Sequence, residues 1–302
     1  MDDGLRNLER FRAHRVRVAQ SADKLVHSMG TELLAMPLRD LVHGVGIAQV
    51  VFKPMFASGG LVRRNYGFEM HVDCRRSEAQ EWARRFHDDS DRGVSLPAQT
   101  RMTIAHEVAH VLALATPGFR NFGSSRLAHR RQRSWLERLC DNVAGRILLP
   151  IAIVERIVPN GGIMDANRLR DLAVQLRVPP ELLINRLRES GLWRERQRGT
   201  VLLFRRSRTG YRLASGASDP TTCALLTPSG SEGQQLPRLL KTLDSYLKPA
   251  DEDAAPVWSF LRECNHRSSS TLLACFARDL TREQDVVTTV HRFDPINPAS
   301  AA

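Results

Sequence analysis

Two histidines and a glutamate lie within five consecutive residues of this 302-residue chain, and their types and spacing could bind a metal ion and activate water. His106 and His110 are four residues apart, and Glu107 directly follows the first histidine. On an α-helix, residues four apart project from one face, so both imidazoles can bind one tetrahedral zinc ion. Glu107 is rotated by about 100° from His106, which directs its carboxylate towards a zinc-bound water rather than the metal. Zinc lowers the pKa of that water to about 7, and the carboxylate can then accept its proton, a combination typical of zinc peptidases.

The spacing of apolar residues predicts that these three side chains lie on a helix. Apolar residues recur every three or four positions at Ile104, Val108, Val111, Leu112 and Ala115. The breakers Thr116-Pro117-Gly118 then end the run. The alternative interpretation is an ordinary helix whose two histidines face solvent or the core.

A catalytic zinc site needs a third protein ligand, and the next helical segment offers a carboxylate. The metzincin arrangement is excluded, because Ala113 and Thr116 occupy the positions that would hold its glycine and its third histidine. A helical pattern over 132–149 carries Glu137 and Asp141 four residues apart, at the edge of an apolar stripe. If the two apolar stripes pack together, both carboxylates face the first helix. We therefore predict Glu137 as the third ligand, with a surface ion pair to an arginine as the alternative.

Two further residues near this site have predicted roles. Asp141 is expected to accept the outer N–H of a zinc-bound histidine, which would keep that ring oriented and basic. The alternative for Asp141 is a solvated carboxylate on the helix surface. His129 lies between the two predicted helices in an arginine-rich segment over 126–133, and it is a weaker candidate for the third ligand.

Two segments around the candidate ligands match motifs of a known family. They are Thr103-Ile104-Ala105-His106-Glu107-Val108-Ala109-His110 and Glu137-Arg138-Leu139-Cys140-Asp141-Asn142-Val143-Ala144-Gly145-Arg146-Ile147-Leu148-Leu149-Pro150. These segments resemble the ImmA/IrrE metallopeptidases. The resemblance implies that His106, His110 and Glu137 bind Zn²⁺, with Mn²⁺ as the alternative metal. It also implies that Glu107 is the general base.

The resemblance also implies a substrate and a biological role. The expected activity is that of a zinc-dependent endopeptidase whose protein substrate is a helix-turn-helix transcriptional repressor of the XRE class. Its cleavage would derepress stress-response or mobile-element genes. The competing hypothesis is a DNA-binding transcriptional regulator whose metal site is structural or vestigial. Catalysis would need a further donor to the oxyanion, and the sequence does not choose among Tyr66, Tyr211 and the many arginines.

Composition and charge indicate a globular protein of the cytoplasm. The net charge is +11, and 40 of the 44 basic residues are arginine, a bias that high-GC coding explains more simply than function does. The positive field would still favour DNA or acidic partners. Five cysteines without CxxC spacing indicate a reducing compartment, with neither a disulfide framework nor a cysteine zinc site. We expect no signal peptide, no transmembrane span and no membrane partner. Composition makes no prediction of the oligomeric state.

The order of the predicted elements indicates an α+β fold. Helices over 5–29 and 33–43 precede three short strands near 47–52, 58–62 and 66–72, and the candidate zinc helix follows. This order suits a minimal zincin-like peptidase domain over 1–158, a small sheet plus active-site helices, in which a strand beside the active-site helix can hold a substrate backbone. An insertion over 75–98 would either cap the cleft or pack on the surface.

Residues 159–196 predict a helix-turn-helix-like segment, with two helices joined at Arg177-Val178-Pro179. An arginine in the left-handed conformation of such a turn would cost about 1 kcal/mol. The second helix offers Asn185, Arg186 and Arg188 to DNA, but the motif also serves as a packing unit. DNA is therefore a partner that the sequence allows without securing it.

Residues 197–302 predict an α+β C-terminal domain without a catalytic motif. Its expected elements are strands over 201–204, 211–214 and 222–226, a helix over 236–247, a linker over 249–256 and a hairpin over 271–276 and 286–293. Some members of the resembled family carry a sensor-like GAF domain at this place.

Overall fold

The structure is a computed structural model, and it describes residues 2–30, 36–88, 96–117, 126–158, 164, 166–193, 199–207, 210–218, 257–262, 271–278 and 285–293. The fold is α+β, with eight helices, a three-stranded sheet and a five-stranded sheet among these residues. The chain divides into two compact units, one of Met1–Ile153 and Gln175–Val178, the other of Val154–Val174 and Pro179–Ala302. The three-domain division expected from the sequence stays a prediction.

The first unit contains five helices and three strands among its described residues. In chain order they are α1 (Asp2–Ser28), α2 (Leu38–Gly44), β1 (Ile47–Lys53), β2 (Gly59–Arg64), β3 (Gly67–Asp73), α3 (Ala79–Asp88), α4 (Ala98–Ala115) and α5 (Arg126–Leu148). The next helix, α6 (Ile151–Ile157), contains the chain boundary between the units. No described helix is both long enough and apolar enough to cross a membrane.

The three-stranded sheet has the order β1-β3-β2, with β3 parallel to β1 and antiparallel to β2. Met70 and Val72 of β3 are buried, and Leu61 of β2 pairs with Met70. Helix α4, which carries His106, Glu107 and His110, packs against β2 and β3, as well as against α1, α2 and α5. β2 lies at an edge of this sheet, so among the described residues one side of its backbone has no neighbouring strand.

The apolar periodicity predicted these elements well, but three boundaries were wrong. The helix expected over 33–43 begins at Leu38. The pattern over 132–149 underestimated α5, which begins at Arg126, because the arginine-rich stretch forms helix readily although it has no apolar stripe. His129 is therefore on a helix and not in a loop, and its side chain lies outside the described residues. The predicted turn at 63–65 was also displaced, because Arg63 and Arg64 still pair with β3.

The Glu69 carboxylate on β3 accepts hydrogen bonds from three side chains of the β2–β3 hairpin. Arg64 donates to both oxygens, from Nε to Oε2 at 3.2 Å and from Nη2 to Oε1 at 3.1 Å. The Tyr66 hydroxyl donates to Oε2 at 3.3 Å, and His71 Nε2 contacts Oε1. Hydrogen bonds from Arg64 first, and then from His71, lower the pKa of Glu69 to about 2.

This lowered pKa predicts how the stability of the first unit depends on pH. The charge of Glu69 stabilises the fold above its ordinary pKa of 4.5, and that contribution disappears as the pH falls towards about 2. We expect Glu69→Gln to lower the urea midpoint at pH 7, and we expect its difference from wild type to shrink between pH 4.5 and 2. Glu78→Gln is the control. A difference that stays constant with pH would contradict this assignment.

The second unit contains two further helices and the five-stranded sheet. Its elements are α7 (Ala166–Gln175), α8 (Pro180–Ser190), β4 (Gly199–Ser207), β5 (Gly210–Ser218), β6 (Val257–Arg262), β7 (Thr271–Arg278) and β8 (Asp285–Phe293). The strands are antiparallel in the order β5-β4-β8-β7-β6, and α8 packs against β4 and β5.

The strands at 201–204 and 211–214 and the hairpin of β7 with β8 are confirmed. The sequence did not predict β6, which directly follows the expected linker. The expected strand over 222–226, helix over 236–247 and linker over 249–256 lie outside the described residues. A GAF-like sensor role stays a prediction.

Candidate metal centre

Packing of α4 against α5 brings the two sequence motifs together. The predicted stripes are buried in part: Ile104 and Val108 on α4 and Val143 and Ile147 on α5 are buried. Leu112 of the α4 stripe is half-buried and Ala115 is exposed, whereas α4 also buries residues outside its stripe, such as Ala105 and Ala109. As predicted, α4 ends at the breakers: its last residue is Ala115, and Thr116 is extended at φ −73° and ψ 127°. A residue that precedes proline is disfavoured in helical conformation, which explains this end.

Three potential ligand atoms converge at the point where the helices face each other. His106 Nε2 is 3.1 Å from His110 Nε2 and 3.2 Å from Glu137 Oε2, and His110 Nε2 is 3.6 Å from the same oxygen. Tetrahedral zinc with bonds of about 2.0–2.1 Å separates its ligand atoms by about 3.3 Å. The three observed separations bracket this value, so the residues present fit a zinc ion. Within the described part of the chain, this is the cluster of His, Cys, Asp and Glu side chains suited to a metal.

The hydrogen bond between His106 and Asp141 determines which nitrogen of the ring is free to act as a ligand. His106 Nδ1 lies 2.8 Å from Asp141 Oδ1. An ionised carboxylate only accepts, so Nδ1 donates, and the neutral ring then presents the Nε2 lone pair to His110 and Glu137. When both rings are neutral and present their Nε2 lone pairs, those lone pairs and the Glu137 oxygen repel one another at this separation, whereas a shared cation attracts all three. The chemistry of the donor set therefore favours a divalent cation at this point.

The electrostatics of the two imidazoles differ. Burial lowers the pKa of His106, but the hydrogen bond and charge of Asp141, helped by Glu107 and Glu137, outweigh burial and raise it overall. Burial, and then the charge of His106, lower the pKa of His110. His110 thus favours the neutral form that binds metals.

Glu107 lies beside these ligands on α4 and is 7% exposed. Burial raises the pKa of its carboxyl to about 7, the charge of Glu137 adds to the rise, and the charge of His106 opposes it. A carboxyl group with a pKa near neutrality is suited to both accept and release a proton at physiological pH. Glu107 is thus equipped for proton transfer.

A cleft of about 620 Å³ contains this cluster. Its walls come from α4, α5, the strand β2 and residues 57–58 just before it. His106, Glu107, His110, Glu137 and Asp141 all line it, so these five predicted site residues lie in one cavity. Their roles as ligands, base and orienting residue stay predictions.

Sequence reasoning missed the wall of the cleft that Ser58, Gly59 and Gly60 form. These residues were predicted only as the start of a strand. Two adjacent glycines in a strand indicate a close approach of another group to the backbone, and that signal could have identified them.

Two other sequence expectations concern residues around the cleft. The Tyr66 hydroxyl donates to Glu69, and Tyr66 is not among the described residues that line the cleft, so its role towards an oxyanion stays a prediction. The Tyr211 side chain lies outside the described residues. Within the insertion, α3 packs on β1: the ring centroid of Phe52 lies 6.2 Å from that of Trp82 and 6.1 Å from that of Phe86.

The helix-turn-helix-like segment has the predicted strained turn, with Arg177 at φ 55°. On α8, however, Arg186 is 6% exposed and donates from Nη1 to Glu189 Oε2 at 2.9 Å. Arg188 Nη2 donates to Asn185 Oδ1 at 3.0 Å. Together with its packing against β4 and β5, these contacts give α8 the features of a packing helix.

Comparison with known proteins adds a likeness of fold. No family model and no curated protein matches the chain. A solved structure of a Mycobacterium tuberculosis transcriptional regulator is similar, with a TM-score of 0.51 over 91% of this chain and 88% of that chain. Sequence identity to it is 15%, so the likeness concerns the fold alone.

Proposed function

We propose that this protein is a zinc-dependent endopeptidase of the ImmA/IrrE type, built on a minimal zincin-like domain. The observation that carries the proposal is the convergence of His106, His110 and Glu137 with Glu107 buried beside them. The resemblance of both motifs supports it, since those motifs come from separate segments that share one cleft.

Each residue of the site has a role in peptide hydrolysis. His106, His110 and Glu137 would hold Zn²⁺, or Mn²⁺ as the alternative. When bound, the ion would supply Lewis-acid chemistry, acidifying water and polarising the scissile carbonyl. Glu107 accepts the proton of the attacking water and later delivers it to the leaving nitrogen. Asp141 accepts the Nδ1 hydrogen of His106 and keeps that ring in orientation.

The proposed substrate is a helix-turn-helix repressor of the XRE class, cleaved to derepress stress-response or mobile-element genes. The edge strand β2 lines the cleft, and its backbone could pair with an extended segment of such a substrate. The name of the solved neighbour, a transcriptional regulator, is in keeping with a role in gene control. This choice of substrate rests chiefly on the family resemblance.

The proposal is tested by mixing the purified full chain, zinc and the repressor encoded nearest its gene. We expect cleavage at a defined peptide bond that stops with a chelator and returns with added zinc. Failure to cleave this repressor, together with unchanged repressor activity in cells that express this protein, would contradict the proposal.

The competing proposal is a DNA-binding regulator with a structural or vestigial metal site. The name of the fold neighbour favours it. The burial of Arg186 disfavours it, and so does Glu107, because a structural site has no use for a carboxylate in the cleft beside its ligands. Salt-sensitive binding to duplex DNA without any cleavage would support this rival.

Asp141→Asn is expected to reduce zinc affinity or cleavage rate by about 10- to 100-fold, the usual effect of losing an outer partner of a metal-bound histidine. The amide can present its N–H to Nδ1 and so destabilises the required tautomer of His106. Zinc affinity is measured by competition with a chromophoric chelator, and Asp40→Asn on α2 is the control. Wild-type affinity and rate in Asp141→Asn would show that Asp141 is only a solvated carboxylate.

A further inference from the structure

Gly59 opens β2 at the wall of the cleft that faces α4. A Cβ atom added to it would lie 2.8 Å from Glu107 Oε1 and 3.1 Å from Glu107 Cγ. The same atom would lie 2.7 Å from Thr103 Cγ2. Non-bonded carbon atoms are at their optimum about 3.5–4.0 Å apart, so a methyl group cannot occupy this place without moving a neighbour.

Space, and not backbone conformation, explains why this residue is glycine. The positive φ angles of the described glycines belong to Gly30, Gly46, Gly67 and Gly191, so Gly59 has a backbone conformation open to other residues. The next residue provides a direct contrast, since among the described residues a Cβ on Gly60 would have only Met55 Cε within 4 Å, at 3.9 Å.

Of the two neighbours, Glu107 is the one whose displacement would impair the proposed proton transfer. Thr103 is buried, and its hydroxyl donates to the Gln99 carbonyl at 3.1 Å, which fixes its rotamer. The Glu107 carboxylate is the free end of a longer side chain that faces the cleft. A methyl group at 59 would therefore displace this carboxylate. The ligand atoms of His106, His110 and Glu137 are not among the atoms that it would meet first.

We infer that Gly59 is a positioning residue, whose missing side chain creates the place that the Glu107 carboxylate occupies. The inference rests on the proposed function, and it adds a requirement that falls on proton transfer rather than on metal binding. It predicts that any side chain at position 59 of β2 impairs proton transfer by Glu107.

The test uses Thr103→Ser as the parent, because that change removes the Cγ2 atom and leaves Glu107 as the close neighbour of a new methyl group. Gly59→Ala and Gly60→Ala are each added to this parent. Zinc affinity, thermal unfolding, and kcat and KM for cleavage of the repressor are measured for all three proteins.

Gly59→Ala is expected to lower kcat by about 100-fold, the loss that a displacement of about 1 Å can cause, while zinc affinity and KM stay within about threefold of the parent. Gly60→Ala is expected to lower kcat by no more than about tenfold. A kcat for Gly59→Ala equal to that of Gly60→Ala would overturn the inference, and so would a parallel loss of kcat and zinc affinity.

A double-mutant cycle separates positioning from general packing. Glu107→Ala removes both Glu107 atoms that the new methyl group would meet, so adding Gly59→Ala to it should change the residual kcat by less than about threefold. An undiminished effect of Gly59→Ala in that background would overturn the inference. If Gly59→Ala prevents folding, adding Glu107→Ala should restore folding. A double variant that still does not fold would also overturn the inference. A wild-type protein without cleavage would instead contradict the proposed function.

Discussion

Glu107→Gln is expected to bind zinc as tightly as wild type while cleaving the repressor about 10³-fold more slowly. The amide has nearly the shape of the carboxylate, so the cleft keeps its packing, but it cannot accept a proton from water. General acid–base catalysis contributes about 10²- to 10⁴-fold in enzymes, and here one group serves as both acid and base. The buried position of Glu107 makes replacement by solvent inefficient.

The measurement is single-turnover cleavage at saturating protein, alongside a zinc titration of the same preparation. Glu78→Gln, a glutamate outside the residues that line the cleft, serves as the matched control and should cleave at the wild-type rate. An unchanged rate in Glu107→Gln would remove the base from the mechanism. Loss of zinc together with activity would instead place Glu107 among the groups that hold the metal site together.

Glu137→Gln is expected to weaken zinc binding by more than about 100-fold, which exceeds the loss expected for Asp141→Asn because a direct ligand is replaced by a neutral amide. Glu137 Oε2 lies within 3.6 Å of both imidazole Nε2 atoms, so its removal leaves two ligands. Competition titration against a chelator gives the affinities of the two variants and wild type under identical conditions.

The control for this result is His129→Ala, because His129 is the other third ligand that the sequence allowed. The account predicts wild-type zinc affinity for it. Intact affinity in Glu137→Gln combined with lost affinity in His129→Ala would transfer the third position to His129, and the arrangement described for α4 and α5 would then be wrong.

The candidate ligands could be predicted from the sequence because helical periodicity is a local property. The four-residue spacing of His106 and His110 defines a face without knowledge of the fold. Glu137 and Asp141 required one further assumption, that two apolar stripes pack on each other, and α4 and α5 do so.

The contact of Gly59 with Glu107 could not be predicted in this way. It depends on which edge of the sheet lies beside α4 and on the register of β2, and both are set by tertiary packing. The burial of Arg186 is of the same kind: its place on α8 suited DNA contact, and the packing of α8 against β4 and β5 could not be inferred from helical periodicity. Local patterns identified the reactive groups, whereas the shape around them required the fold.

The central claim is that two imidazoles and one carboxylate from neighbouring helices hold a single divalent cation. The zinc K-edge X-ray absorption spectrum of the full chain, loaded with one equivalent of zinc, tests this most directly. We predict four nitrogen or oxygen neighbours at about 2.0–2.1 Å, with scattering from two imidazole rings that is lost in part in His110→Ala. Sulfur neighbours at about 2.3 Å, or a spectrum unchanged by His110→Ala, would contradict the account.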